Sequence, residues 1–194
     1  MSAPRLRLFV GVTVPSEQLE ALHRAASPLR RLEESTTKAR WTKPANQHLT
    51  LKFLGWVDAA DAGAIRGVLG DVAGAHGPSR VALRGLGAWP TERRARVLWV
   101  GLEDPERLLT KLAASLDSAL EALGFERETR AFTPHLTLAR FTRPASVSRV
   151  MAEPFEVLEP WFAVDRVALY RSHLHPKGAR YEILESFALE IVQS

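Results

Sequence analysis

The tetrapeptide His-Leu-Thr-Leu at residues 48–51 recurs, unchanged, at residues 135–138. Each copy follows a loop that contains a proline, Pro44 or Pro134, and each runs on into further apolar residues. Successive side chains of a β-strand point to opposite faces, so each copy is predicted to bury two leucines and to present a His–Thr pair on the other face. The repeat predicts two similar lobes that share one cleft.

The segments around the repeat alternate between strand and helix patterns. A helix begins near Ser16 and is expected to end or kink at Pro28, because proline removes a backbone donor. Several predicted strands lie too close together in sequence for crossover helices, which indicates antiparallel sheets and an α+β fold. The predicted strands are 6–14, 48–54, 80–89, 96–102, 163–171 and 181–192, and the later helices are 58–75 and 105–123. Residues 1–194 are expected to form a single bilobal domain.

Composition excludes several classes of protein and permits others. The 194 residues contain no cysteine, which excludes disulfides, thiolate metal sites and a cysteine nucleophile. No segment approaches the ~20 apolar residues of a membrane helix, so a cytoplasmic protein without membrane contact is expected. Of the 26 basic residues 21 are arginine, and the net charge is +4. Arginine suits phosphate and permits RNA binding, although a general compositional bias would explain its excess equally well.

Two histidines and two threonines facing one cleft suit chemistry at phosphorus. Histidine titrates near neutral pH, so one ring can take a proton from the attacking oxygen while the other gives a proton to the leaving oxygen. Threonine hydroxyls can donate hydrogen bonds to the non-bridging phosphate oxygens. The residues at issue are His48, His135, Thr50 and Thr137. This chemistry requires no metal, no cofactor and no covalent intermediate.

The stretches HLTLKFLG and FTPHLTLAR resemble the two HxTx motifs of the two-histidine phosphoesterase superfamily. The chain is most similar to its RNA 2′,3′-cyclic phosphodiesterase branch, also called 2′–5′ RNA ligase. The resemblance extends over nearly the whole chain, from RLFVGVTVP to LYRSHLHPKGARYEILESF. It implies two pseudo-symmetric lobes, each a mainly antiparallel sheet with helices packed outside, and an active-site cleft between them.

The resemblance also implies a reaction and roles for individual residues. The expected reaction is hydrolysis of a 2′,3′-cyclic phosphate at an RNA end to a 2′-phosphate. A 5′-hydroxyl in place of water would join RNA ends through a 2′–5′ bond, so ligation is expected as a side activity of the same site. His48 would donate a proton to the departing 3′-oxygen, and His135 would accept a proton from water. Thr50 and Thr137 would hold the phosphate. The expected partner is RNA with a cyclic phosphate end, and a monomer is expected.

Two residues upstream of the motifs are further candidates. Arg130 precedes His135 by five residues, where relatives often carry arginine, and it is predicted to contact the substrate phosphate. A surface arginine with no such role is the alternative. Trp41 precedes His48 by seven residues in a predicted loop, from which its ring can stack on a terminal base.

Strand parity makes opposite predictions for two basic residues downstream of the motifs. Lys52 lies four residues after His48, so it is expected on the histidine face as a contact to the RNA backbone. Arg140 lies five residues after His135 and is therefore expected on the leucine side, in a structural role, unless the strand bulges.

Two other functions remain open at this point. The same site would serve a phosphodiesterase of small cyclic nucleotides or of 2′,5′-linked oligonucleotides. A module that binds nucleotides or RNA ends without catalysis would belong to a different class. The presence of histidine and threonine in both motifs favours an enzyme.

Overall fold

The computed structural model describes residues 4–34, 39–175 and 178–190, and all statements below refer to these residues. The helices are α1 (Ser16–Glu34), α2 (Ala62–Gly74), α3 (Leu108–Glu121) and the short α4 (Ser148–Met151). The strands are β1 (Arg5–Val12), β2 (Ala39–Trp41), β3 (Leu49–Asp58), β4 (Ser79–Trp89), β5 (Ala95–Glu103), β6 (His135–Ala145), β7 (Trp161–Val164), β8 (Arg166–His173) and β9 (Arg180–Ala188).

The strands form two antiparallel sheets. The first has the order β3-β1-β8-β9, and the second has the order β2-β6-β5-β4-β7. The predicted α+β class with mainly antiparallel sheets is therefore confirmed. One copy of the repeat leads into β3, with His48 directly before its first residue, and the other begins β6, so one histidine lies at the start of a strand in each sheet. The division of the chain into two lobes of a single domain stays a prediction.

The leucines of both motifs are core residues, as strand alternation predicts. Leu49, Leu51, Leu136 and Leu138 are all buried, whereas the histidines and threonines beside them are partly accessible. This arrangement fixes which face of each sheet the histidines occupy, because a slip of one residue would expose the leucines.

The structure changes some predicted helix boundaries. Helix α1 continues through Pro28 to Glu34, because the helix packs its apolar face, including the fully buried Leu22 and Leu29, into the core. Helix α3 begins later than predicted, at Leu108. The carboxylate of Asp104 still caps it by accepting the backbone N–H groups of Leu108 and Leu109, each at 2.9 Å.

The C-terminal boundaries differ as well. The buried stripe of α3 ends with Leu120, and Leu123 is exposed because the helix stops at Glu121. Strand β9 ends at Ala188, and residues 191–192 of the predicted strand lie outside the described residues. Within the described ranges, each helix is too short or too polar to cross a membrane.

Both motif strands contain a β-bulge at the same point of the repeat. The register skips Leu51 where β3 pairs with β1, and it skips Leu138 where β6 pairs with β5. Each of these leucines is the third residue after the histidine of its motif. A bulge adds one residue to a strand and shifts the alternation of faces beyond it. Residues four and five positions after each histidine therefore occupy the faces opposite to those predicted by simple parity.

Candidate active site

Each motif histidine is oriented by the backbone of its own approach loop. The Nδ1 atom of His48 lies 3.0 Å from the carbonyl oxygen of Asn46, and Nδ1 of His135 lies 2.9 Å from that of Thr133. A carbonyl oxygen only accepts, so Nδ1 carries the proton in both rings. In the neutral rings Nε2 is therefore the unprotonated nitrogen, free to exchange a proton with a substrate.

Aromatic rings surround the His48 imidazole. The ring centroids of Phe9 and Tyr181 lie 4.5 and 4.6 Å from that of His48, and the Tyr170 centroid lies 5.5 Å away. Phe9 in turn stacks on Tyr170 with a centroid separation of 4.8 Å. These rings remove water from most of the imidazole and hold its plane in place.

Two tryptophan rings contact the His135 imidazole in a similar way. The Trp89 ring meets the imidazole edge to face at 4.5 Å, and the Trp99 centroid lies 6.1 Å away. Gly87 makes room for Trp99, because a Cβ atom at Gly87 would lie only 2.0 Å from the indole ring. The two sheets thus surround their histidines with different side chains.

Burial makes both imidazoles harder to protonate. It lowers the pKa of His48 to about 4, and positive charge on Arg140 and on His135 adds to this effect. Burial also lowers the pKa of His135, again with a contribution from Arg140. The hydrogen bonds to the backbone carbonyls act in the opposite direction. In the free protein both rings are therefore mainly neutral at pH 7.

The structure brings the two motifs close together. Positive charge on His135 lowers the pKa of His48, an effect that requires the two imidazoles to lie near each other. The buried Gln47 links the motifs directly, since its side-chain amide donates to the carbonyl of Thr137 at 3.4 Å. Its carbonyl oxygen lies 2.7 Å from Nε2 of His23, which must be the donor. Gln47 was not among the residues singled out from the sequence.

The threonines share the accessible faces of their strands with the histidines. Thr50 pairs with Gly11 of β1, and Thr137 pairs with Trp99 of β5. Within the described part of the chain, neither threonine hydroxyl has a hydrogen-bond partner from a side chain. Both are therefore able to donate to a bound anion.

The predicted position of Lys52 on the histidine face is wrong. The bulge at Leu51 turns Lys52 inward, where the residue is 8% exposed. Its ammonium forms an ion pair with Asp117 of α3 and donates to the carbonyl of Glu126. The Lys52 ammonium is therefore bound on the core side of the sheet and is not available to RNA in the cleft.

The same bulges place two further residues on the histidine faces. Simple parity would have placed both on the core side. Phe53, the fifth residue after His48, is 61% exposed and lies 5.8 Å from Phe9 between ring centroids. Arg140, the fifth residue after His135, is exposed and close enough to affect both imidazoles. Parity had placed Arg140 on the leucine side, and it had drawn no attention to Phe53.

The two upstream candidates have different surroundings. Trp41 lies in β2 rather than in a loop, and it pairs with the buried Ala139, so its ring is on the core side of the second sheet. This position does not agree with stacking on a base in the cleft. Arg130 is exposed in the segment before β6, as a phosphate contact requires. Its contact with a substrate stays a prediction.

Known proteins are similar in sequence to this chain over most of its length. The sequence pattern of the 2′-5′ RNA ligase superfamily matches residues 21–176. An RNA 2′,3′-cyclic phosphodiesterase of Thermus thermophilus is 35% identical over 192 residues, which cover 95% of this chain and 90% of that protein. A protein of the same name from Archaeoglobus fulgidus is 32% identical over 187 residues, which cover 94% of this chain and 99% of that one.

Solved structures agree with these sequence relatives. The protein TT0787 of Thermus thermophilus has a TM-score of 0.79 and 31% identity, covering 95% of this chain and 98% of its own. Escherichia coli LigT complexed with 3′-AMP has a TM-score of 0.77 and 28% identity, covering 96% and 99%. This chain belongs to the 2′-5′ RNA ligase superfamily. The predictions of the family and of a phosphodiesterase enzyme are thus confirmed.

Proposed function

We propose that this chain hydrolyses the 2′,3′-cyclic phosphate at an RNA end to a 2′-phosphate, using His48 and His135 as its acid and base. The observation that carries the proposal is the matched pair of imidazoles. Each is locked by a backbone carbonyl at Nδ1 and is therefore free at Nε2. The names of the relatives support the same substrate class.

In the proposed reaction, Nε2 of His135 takes a proton from water as the water oxygen attacks phosphorus. The bond from phosphorus to the 3′-oxygen breaks, and Nε2 of His48 gives that oxygen a proton. Thr50 and Thr137 donate hydrogen bonds to the non-bridging oxygens, whose charge grows in the transition state. With an RNA 5′-hydroxyl in place of the attacking water, the bond from phosphorus to the 3′-oxygen breaks in the same way, and the product is a 2′–5′ phosphodiester that joins two RNA ends.

His48 must be protonated to act as the acid, although its pKa in the free protein is about 4. A bound phosphodiester resolves this, because its negative charge lies against both imidazoles and favours their protonated forms. The exposed Phe53 ring provides a stacking surface for the terminal base on the His48 side.

The proposed function is tested with an RNA oligomer that ends in a 2′,3′-cyclic phosphate, incubated with the protein in the presence of EDTA. We expect turnover to a 2′-phosphate without added metal. A 3′-phosphate product would contradict the proposed direction of cleavage. Tight binding without product would indicate a binding module, and loss of turnover in EDTA would contradict metal independence.

The rate should depend on pH differently for free and bound enzyme. The profile of kcat/KM reports groups of the free enzyme, in which the pKa of both histidines is lowered. Its alkaline limb, where the proton of the acid is lost, should therefore lie below pH 6.5. The alkaline limb of kcat should lie at higher pH, since the bound phosphate raises the pKa of the pair. Initial rates between pH 4 and 9 measure both limbs, and coinciding limbs would contradict this account.

Removing one threonine hydroxyl should have a smaller effect than removing a histidine. Thr50→Val and Thr137→Val nearly keep the shape of the side chain and delete one donor to the phosphate. We expect each to lower kcat/KM by roughly tenfold, the effect of one hydrogen bond to a charged group. Cleavage rates of the purified variants, with circular dichroism to verify the fold, measure this.

A further inference from the structure

Two arginines face each other across neighbouring strands at the rim of the cleft. Arg40 of β2 pairs directly with Arg140 of β6, and both side chains are exposed. Their strand neighbours Ala139 and Phe141 are buried, which places both arginines on the face opposite the core. Because of the bulge at Leu138, this is also the face of His135 and Thr137.

The charge of this pair is uncompensated by acidic side chains. In the described ranges, neither Arg40 nor Arg140 has a carboxylate within ion-pair distance. Some other exposed arginines do have one, since Arg5 of β1 pairs with Asp58, Arg66 of α2 with Glu185 of β9, and Arg84 of β4 with Glu103. Like charges directly opposite each other destabilise a sheet. A bound anion would remove this cost.

The position of the pair identifies the anion. Arg140 is close enough to both imidazoles to lower their pKa, so it borders the reacting phosphate. Arg40 lies one strand further out, on β2 at the edge of the sheet. An RNA whose cyclic phosphate is at the imidazoles has its next negative charge one nucleotide away, on the linking phosphodiester. Guanidinium groups match such a phosphate in charge and geometry.

We propose that Arg40 and Arg140 form a subsite for the linking phosphodiester on the 5′ side of the terminal nucleotide. The proposal rests on the proposed function and adds a substrate preference to it: chains of two or more nucleotides over mononucleoside cyclic phosphates. Arg140 contributes to both phosphates, whereas Arg40 serves only the second.

The test compares two dinucleotides that end in a 2′,3′-cyclic phosphate. One has the natural linking phosphodiester, and the other has an uncharged methylphosphonate in its place. We expect the wild-type protein to prefer the charged dinucleotide by roughly tenfold in kcat/KM, the effect of a charge-assisted hydrogen bond. In Arg40→Gln this preference should fall to about twofold or less. The salt slope of RNA binding should also decrease by about one.

Arg80→Gln is the matched control, since Arg80 is exposed on β4 and pairs with β7 at the opposite side of the same sheet. It should keep the wild-type preference. An equal preference in wild type and Arg40→Gln would overturn the subsite while leaving the proposed function intact. Failure of the folded wild-type protein to cleave either dinucleotide would overturn the proposed function and the subsite with it.

Discussion

Replacing either motif histidine by alanine should lower the single-turnover rate on cyclic-phosphate RNA by about 10²–10⁴-fold, the range for loss of a proton-transfer group. His48→Ala and His135→Ala should each reach this range. Because acid and base act in one transition state, the double variant should be little slower than the slower single variant. Near-normal cleavage by folded His135→Ala would refute the two-histidine mechanism.

A change in the substrate separates the two roles. Sulfur in place of the 3′-oxygen gives a leaving group that departs without needing a proton. With that substrate, His48→Ala should regain most of the lost rate relative to wild type, whereas His135→Ala should remain slow. Rescue of His135→Ala instead would exchange the assigned roles of acid and base. His76→Ala is a suitable control, because His76 lies outside the motifs and bonds to Val72 and Ser115.

The repeat in the sequence predicted two equivalent half-buried strands and the identity of the central residues for a physical reason. Only one orientation of a half-buried strand buries both leucines of the motif and leaves its histidine and threonine on the accessible face. The buried leucines of β3 and β6 show that this orientation is present in both sheets. The assignment of His48 as donor and His135 as acceptor stays a prediction, as do the monomeric state, the metal independence and the cytoplasmic location.

Residues beyond the motifs could not be placed by parity, because the strands bulge. Neither bulge is marked by a glycine or proline, since the residues skipped are Leu51 and Leu138. Each bulge reverses the faces that follow, and so Lys52 was expected in the cleft and Arg140 in the core, the reverse of their observed places. The repeat itself contained a usable signal. Lys52 and Ala139 occupy equivalent positions, and a core position explains both better than a cleft position does.

Hydrogen bonds between distant parts of the chain could not be predicted from the sequence either. Gln47 contacts Thr137 and His23, and Asn46 donates to the carbonyl of Ala179 at 2.8 Å. These contacts depend on how the two sheets meet, which no local pattern specifies. They place the loop before His48 against the other motif and against the β8–β9 connection.

The second large effect is expected on stability, at the ion pair between Lys52 and Asp117. The Lys52 side chain is 7% exposed and that of Asp117 is 19% exposed. Asp117→Ala would leave the Lys52 ammonium buried with only the carbonyl of Glu126, and it would also remove the acceptor of the Glu128 N–H group. We expect the free energy of unfolding to fall by about 3 kcal/mol, within the range for a broken buried pair. Urea unfolding at pH 7 measures this.

The stabilisation should depend on pH in a defined direction. Burial alone would raise the pKa of Asp117, but the hydrogen bonds from Lys52 and Glu128 lower it below its ordinary value of 3.8. A depressed carboxyl pKa stabilises the folded state above the unfolded value, and this contribution is lost as the pH falls through the folded pKa. The difference between wild type and Asp117→Ala should therefore be constant above about pH 5 and should shrink below pH 3.8.

Two further variants separate the buried pair from a general effect of charge. Asp58→Ala breaks the exposed pair with Arg5 and should cost less than about 1 kcal/mol. Lys52→Met removes the buried cation together with its need for a partner, so Asp117→Ala should cost less in the Lys52→Met background than in wild type. Lys52→Met should also leave the salt slope of RNA binding unchanged, because the ammonium lies below the sheet. A slope reduced by about one would return Lys52 to the RNA-binding surface and refute its place in the core.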